Sequence, residues 1–114
     1  MTLFRLALPV LWIGIAAVTL WALARMGLWA AAETFASDLA HPWRAQFYGD
    51  LEIHLLLFAG WIVWREPSRG LALLFAGATI LLGALFTLPY LLAASVKARG
   101  DAAALLLGRH VRAA

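Results

Sequence analysis

The sequence predicts an all-α membrane protein with three transmembrane helices, and three observations lead to that fold class. Residues 70–96 run for 27 positions without a charged side chain, and a helix needs only about 20 apolar residues to cross the hydrocarbon core of a bilayer. Two further apolar segments, 3–24 and 45–64, precede this run. The chain is 65% hydrophobic and 13% charged, against roughly 45–50% and 25% in a soluble domain. A globule of this size does not bury so much apolar surface, so residues 1–114 are predicted to form one transmembrane helical domain.

Composition also excludes several classes of function. The net charge is +3, but the basic residues are scattered at segment ends, as lipid-headgroup anchors are, and do not form the patch expected of a nucleic-acid-binding protein. The chain has no cysteine, which excludes disulfides, iron–sulfur clusters and thiolate zinc sites. Arginine outnumbers lysine eight to one among abundant alanine and leucine, a composition associated with bacteria, so we expect a multi-pass protein of the bacterial inner (cytoplasmic) membrane.

The first predicted helix covers about residues 3–24. Pro9 lies in its second turn, where a kink is tolerated, and Arg25 follows its end, where the side chain can extend to the headgroups. The apolar stretch 6–24 has 19 residues, which is longer than the roughly 7–15 residues of a signal-peptide core. We therefore expect a retained membrane helix.

The first loop contains a weaker helical pattern. Apolar residues recur there at helical spacing among polar ones; they are Leu28, Ala31, Ala32, Phe35 and Leu39. The pattern favours a short interfacial helix within residues 27–42, and an ordered loop is the alternative. Pro42 then restricts His41 to extended geometry and suits the first position of a new helix.

The second predicted helix, 45–64, carries the candidate functional residues Tyr48, Asp50, Glu52 and His54. At 1.5 Å per residue from Trp43, Asp50 lies about 10 Å and His54 about 16 Å along the helix, so His54 approaches the middle of the bilayer. Asp50 and His54 are four residues apart and share one face, whereas Glu52 points away from both. Only two of the three ionisable groups could converge on one ion, so the sequence predicts no metal site.

The third predicted helix covers residues 70–96, with a kink expected at Pro89. Small side chains at helical spacing predict a face for close helix packing; they are Ala72, Ala76, Gly77, Gly83 and Ala84. Lys97 ends the helix. The tail that follows, residues 100–114, is predicted to be amphipathic, with a short interfacial helix or a frayed end as the alternatives.

The distribution of basic residues predicts an orientation. With three spans, the N-terminus and the second loop share one side, which then carries Arg5, Arg65 and Arg69. The first loop and the tail share the other side, which carries Arg25, Arg44, Lys97, Arg99, Arg109 and Arg112. The positive-inside rule then predicts a cytoplasmic C-terminus and an external N-terminus.

Residues 43–99 resemble an uncharacterised family of small bacterial integral membrane proteins with three or four helices. The resemblance rests on three short features. An acidic residue, Asp50, lies just inside a middle helix; that helix ends in an aromatic-rich segment followed by Arg-Glu, as in Trp64-Arg65-Glu66; and the last helix contains a Leu-Pro dipeptide, within residues 88–92. No activity is assigned to that family, so the resemblance implies topology alone. The Glu52-x-His54 step has no counterpart in it.

Three classes of function remain open from the sequence. The thin bundle, the small-residue face and the lack of any catalytic constellation favour a structural or accessory subunit of a larger membrane complex or homo-oligomer, with lipid and other subunits or itself as partners. The alternatives are an oligomeric proton, cation or solute carrier using Asp50 and His54, and a tetrapyrrole pigment or haem site at His54. The polar residues of the second helix would have only a structural role if they lay near the membrane interface. There they would form hydrogen bonds with one another or with water, or with the side chains of Arg44, Thr87 or Tyr90. The chain has no nucleophile–base pair, phosphate loop or two-histidine metal spacing, which speaks against an enzyme.

Overall fold

The computed structural model describes residues 1–112, and in that part of the chain the fold is entirely helical, without a strand. Six α-helices follow one another: α1 Thr2–Met26, α2 Leu28–Asp38, α3 Pro42–Arg65, α4 Arg69–Leu82, α5 Ala84–Lys97 and α6 Ala102–Leu107. A 3-10 turn, Gly108–His110, follows α6. Two of these helices, α1 and α3, are long and apolar enough to cross a membrane.

Local signals explain where the helices begin. Pro42 occupies the first turn of α3 after the extended His41, as the sequence predicts. The Ser68 hydroxyl accepts a hydrogen bond from the Leu71 amide and caps α4, and the Asp101 carboxylate caps α6 by accepting from the Ala103 amide at 2.8 Å. The first loop contains a helix, α2, instead of an ordered loop; its position at a membrane interface stays a prediction.

The prediction of one helix over residues 70–96 is wrong, because the chain turns at Gly83. The backbone of Gly83 has φ 57° and ψ −129°, a combination that a side chain with a Cβ strongly disfavours and that glycine adopts readily. The segment therefore forms two helices, α4 and α5, of 14 residues each. Apolar periodicity did not reveal this break, since the run of uncharged residues is continuous on both sides of the glycine.

Helices α4 and α5 form a hairpin in which the chain reverses direction. The Phe75 ring lies 5.6 Å from the ring of Phe86 and 5.6 Å from that of Tyr90, measured between centroids. In a straight helix, residues 75 and 90 would be about 22 Å apart. Helix α5 thus runs back towards the beginning of α4.

The two long helices flank the hairpin, with α4 packed along α3 and α5 packed along α1. On the α1 side, Arg5 Nη2 donates to the Ser95 carbonyl at 2.5 Å, and Trp12 Nε1 donates to the Leu85 carbonyl at 2.9 Å. On the α3 side, a Cβ added at Gly83 would lie 4.0 Å from Leu55 Cδ2, so the hairpin turn faces the middle of α3. The hairpin therefore covers only the first half of α1 and the second half of α3.

The core consequently sits at one end of the molecule. Leu8 is the one buried residue of α1, and the buried residues of α3 all fall between Ala59 and Arg65. The hairpin contributes Ala72, Thr79, Tyr90, Ala94 and Ser95. We call this the Arg65 end; it gathers the start of α1, the α3–α4 turn and the C-terminal segment. The connections through α2 lie at the opposite end.

Candidate functional site

The predicted pair Asp50 and His54 lies on the uncovered half of α3. His54 Nδ1 is 2.7 Å from the Asp50 carbonyl oxygen and 3.9 Å from its carboxylate oxygen Oδ1. The two side chains are 61% and 70% exposed. Both side chains are therefore largely exposed, and the His54 ring also borders a cavity that residues of α1, α5 and α6 line.

The other two members of the predicted cluster do not join this pair. Tyr48 donates its hydroxyl hydrogen to the Asp38 carboxylate at 2.7 Å. Glu52 is half-buried, and because it is two residues from Asp50 along the helix, it points to a different face. Within residues 1–112, no three histidine, aspartate or glutamate side chains come together in a way that would hold a metal ion.

Asp38, at the end of α2, instead gathers the polar groups near the start of α3. Its second carboxylate oxygen accepts a hydrogen bond from Arg44 at 2.9 Å, and the Phe35 ring packs edge-on against Tyr48 at 5.7 Å. The hydrogen bond from Tyr48 is the largest cause that holds the pKa of Asp38 below its ordinary value. Burial opposes it, and the charge and hydrogen bond of Arg44 lower the pKa further. These contacts fix α2 to α3 at the end opposite Arg65.

The most enclosed polar cluster of the described chain surrounds Arg65 and was not predicted from the sequence. Arg65 is only 7% exposed. Its Nη1 donates to the Tyr90 hydroxyl at 2.6 Å and to Glu66 Oε1 at 3.0 Å, and the Tyr90 hydroxyl donates to the same Glu66 oxygen. The guanidinium carbon also lies 5.1 Å from the centre of the Trp61 ring, a favourable cation–π arrangement.

The C-terminal segment closes this cluster from outside. Trp61 Nε1 donates to the Leu106 carbonyl at 3.0 Å. The His110 ring stacks on Trp64 with centroids 4.1 Å apart, and Arg109 Nε donates to the Trp64 carbonyl at 2.9 Å. A Cβ at Gly108, whose φ is +52°, would lie 2.6 Å from the Arg65 carbonyl oxygen, so the backbone crosses the end of α3 where only glycine fits.

Sequence reasoning missed the cluster because its parts are far apart along the chain. Arg65 and Glu66 have the pattern of a solvated turn between helices, and His110 that of a surface histidine. One local signal existed: Trp61 and Arg65 are four residues apart and share a helix face. Nothing in the sequence indicated that Tyr90 would come back to meet them, because that contact depends on the turn at Gly83.

The predicted small-residue face is divided by the same turn. Ala72 is 1% exposed on α4, and Ala76 and Gly77 are half-buried on that helix. Gly83 forms the turn itself, and Ala84 begins the next helix with its side chain exposed. The five residues therefore do not form one continuous packing face.

No family model, curated protein or solved structure matches this chain. The resemblance of residues 43–99 to small bacterial membrane proteins stays a prediction.

Proposed function

We propose that this chain is an integral protein of the bacterial cytoplasmic membrane, with α1 and α3 as its two spanning helices. Helices of 25 and 24 residues have lengths of about 37 and 36 Å, enough for a hydrocarbon core of about 30 Å. Each arm of the α4–α5 hairpin is about 21 Å long. The hairpin accordingly enters the bilayer from the Arg65 end and returns to the same side.

The backbone of the hairpin turn is suited to a position inside the membrane. Irregular backbone at membrane depth is tolerated where its polar groups are satisfied within the protein. The Gly83 amide donates to the Thr79 carbonyl at 2.9 Å, and the Gly83 carbonyl accepts from the amides of Phe86 and Thr87 at 3.1 and 3.0 Å. Leu81 beside the turn is 84% exposed, which costs little in lipid and much in water.

This topology changes the orientation that the sequence predicted for the N-terminus. With a returning hairpin, the N-terminus, the α3–α4 turn and the tail all share one side. Seven of the nine basic residues then lie on that side, and only Arg25 and Arg44 lie on the other. The positive-inside rule favours a cytoplasmic location for both termini, so the C-terminal assignment is kept and the N-terminal one is reversed.

Within that membrane, we propose that the protein acts as a structural or accessory subunit that assembles with other membrane proteins or with copies of itself. The uncovered half of α3, which exposes Asp50 and His54 on the outside of the fold, carries this proposal. Ionisable groups near the bilayer centre cost roughly 2.5–3.5 kcal/mol each. A neighbouring helix that offers hydrogen-bonding groups would remove much of that cost, as interhelical polar contacts do.

Purification from native membranes in a mild detergent, followed by mass spectrometry and sizing of the complex, tests this role. We expect stable protein partners or a defined oligomer, and we expect the double variant Asp50→Asn/His54→Ala to reduce the association. Leu81→Ala, which changes an exposed side chain of the hairpin, is the matched control and should leave it intact. A monomer that co-purifies with no other protein would contradict the proposal.

A tetrapyrrole pigment or haem site at His54 is favoured by two observations. Metal-bound histidines usually engage their second ring nitrogen with a backbone carbonyl or carboxylate, and His54 Nδ1 has such a partner in the Asp50 carbonyl. His54 also lines an apolar cavity with Phe58 and Trp61. Absorbance beyond 300 nm that is lost in His54→Ala would support this function, and a colourless protein would exclude it.

Proton or cation transport is favoured by the proximity of the Asp50 carboxylate and the His54 ring, 3.9 Å apart. An ionisable pair at membrane depth is a typical element of a proton path. Flux into proteoliposomes that is abolished by Asp50→Asn would support it. Flux that is equal in the wild type, Asp50→Asn and His54→Ala would exclude a role for the pair.

A further inference from the structure

The Arg65 end contains a cavity of about 290 Å³ between the end of α3, the end of α5 and the C-terminal segment. Three cationic side chains line it, Arg65, Lys97 and Arg109, together with one carboxylate, Glu66. Its remaining lining includes the small side chains of Ala94 and Ala98, which leave room between the charges.

The positive charge around this cavity is not neutralised within the described chain. The Glu66 carboxylate is already engaged by Arg65 and Tyr90. Among residues 1–112, neither Lys97 nor Arg109 lies within 4.0 Å of a carboxylate oxygen; Arg109 binds a backbone carbonyl instead. The cavity therefore has an excess of two positive charges over its single acid.

The guanidinium group of Arg65 has N–H donors that bind no acceptor in the described chain. Its Nη1 makes both side-chain hydrogen bonds of the guanidinium, and its Nε is buried without a partner among the described residues. A buried N–H without an acceptor is costly, and an anionic oxygen is the acceptor that guanidinium groups bind most strongly. Arg65 is thus held in place by its neighbours while part of its hydrogen-bonding capacity stays unused.

We infer that this cavity binds the phosphate group of an anionic lipid headgroup. Basic pockets between helices at the cytoplasmic face bind such headgroups in other membrane proteins, and a phosphate offers several oxygen acceptors to guanidinium and ammonium donors. Seven of the nine basic residues gather at this end, which would draw it to an anionic leaflet. The inference depends on the membrane location proposed above, but not on the identity of any protein partner.

Lipid binding is measured on the purified protein in a neutral detergent, by the shift in thermal unfolding monitored through its six tryptophans. Phosphatidylglycerol should raise the unfolding temperature in a saturable way, whereas phosphatidylcholine, whose headgroup has no net charge, should not. Each lost basic side chain near the headgroup should weaken binding about 5-fold, and Lys97→Gln/Arg109→Gln about 25-fold. Arg25→Gln, which removes the same charge at the opposite end, should bind as the wild type does.

Two further measurements test the contribution of Lys97 alone and distinguish a lipid from free phosphate. Because Arg109 also holds the tail, Lys97→Gln is measured alone, and Lys97→Arg should restore binding. Equal stabilisation by sodium phosphate would overturn the lipid assignment in favour of a free phosphate site. Equal loss of binding in Arg25→Gln, or no shift with phosphatidylglycerol, would overturn the site itself. None of these results bears on partner assembly, which is measured by co-purification.

Discussion

Replacing Gly83 by alanine tests the hairpin directly, because the cost of this change comes from the backbone alone. The nearest atom to a Cβ at this position is Leu55 Cδ2 at 4.0 Å, so the added methyl group has room. The φ of 57° and ψ of −129° are the obstacle. A non-glycine residue held in such a region costs roughly 1–3 kcal/mol, and we expect Gly83→Ala to lower the free energy of unfolding by that amount.

Gly77→Ala is the matched control. Gly77 lies inside α4, and a Cβ there would meet no atom within 4 Å. Alanine is a better helix former than glycine by up to about 1 kcal/mol, so this variant should be as stable as the wild type or more stable. The two substitutions add the same atoms to the same apolar run and are expected to change stability in opposite directions.

The assay is reversible unfolding in mixed micelles with increasing sodium dodecyl sulfate, followed by tryptophan fluorescence and helical circular dichroism. The wild type and both variants are compared under one lipid and detergent composition. If residues 70–96 formed one continuous helix, alanine would be favoured at both positions. Stabilisation by Gly83→Ala equal to that by Gly77→Ala would therefore refute the hairpin.

Three further predictions concern the contacts at the two ends. Tyr90→Phe removes the hydroxyl that bridges Arg65 and Glu66, and in the same unfolding assay it should cost about 1–3 kcal/mol; an unchanged midpoint would contradict the bridge. Gly108→Ala should displace the C-terminal segment, because its Cβ would lie 2.6 Å from a backbone oxygen; we expect faster tryptic cleavage of the tail, and equal rates would count against its docking. The pKa of Asp38 is lowered in the folded protein, so its ionised carboxylate stabilises the fold above pH 3.8, and this stabilisation is lost as the pH falls through the folded-state pKa. The stability difference between the wild type and Asp38→Asn should therefore vanish at acid pH. A difference that persists at acid pH would contradict the stabilising role of the ionised carboxylate.

Local sequence patterns predicted most of the helical structure, because each pattern is read within a few turns. The long apolar stretches predicted α1 and α3, and Pro42 predicted where α3 begins. The spacing of Asp50 and His54 predicted their proximity, because residues four apart on a helix are neighbours whatever the rest of the chain does.

Features that depend on a single backbone geometry were not predictable in this way. A glycine in an apolar run is compatible both with helix packing and with a turn, and only the φ of Gly83 distinguishes them. The prediction of one straight helix over residues 70–96 had two consequences. It separated Tyr90 from Arg65, and it placed the C-terminal tail on the opposite side of the membrane from the α3–α4 turn. The buried cluster was missed for this reason, and the orientation that we propose for the N-terminus differs from the predicted one because of the same turn.

The location of the tail relative to the first loop is the most direct test of the proposed topology. The chain has no cysteine, so single cysteines can be introduced at the exposed positions Ser37, Ser68 and Ala102 and labelled in spheroplasts with a membrane-impermeant maleimide. With two spans and a returning hairpin, Ser37→Cys is labelled in intact spheroplasts, whereas Ser68→Cys and Ala102→Cys are labelled only after permeabilisation. Labelling of Ala102→Cys together with Ser37→Cys would show that the chain crosses the membrane a third time, and would contradict the account.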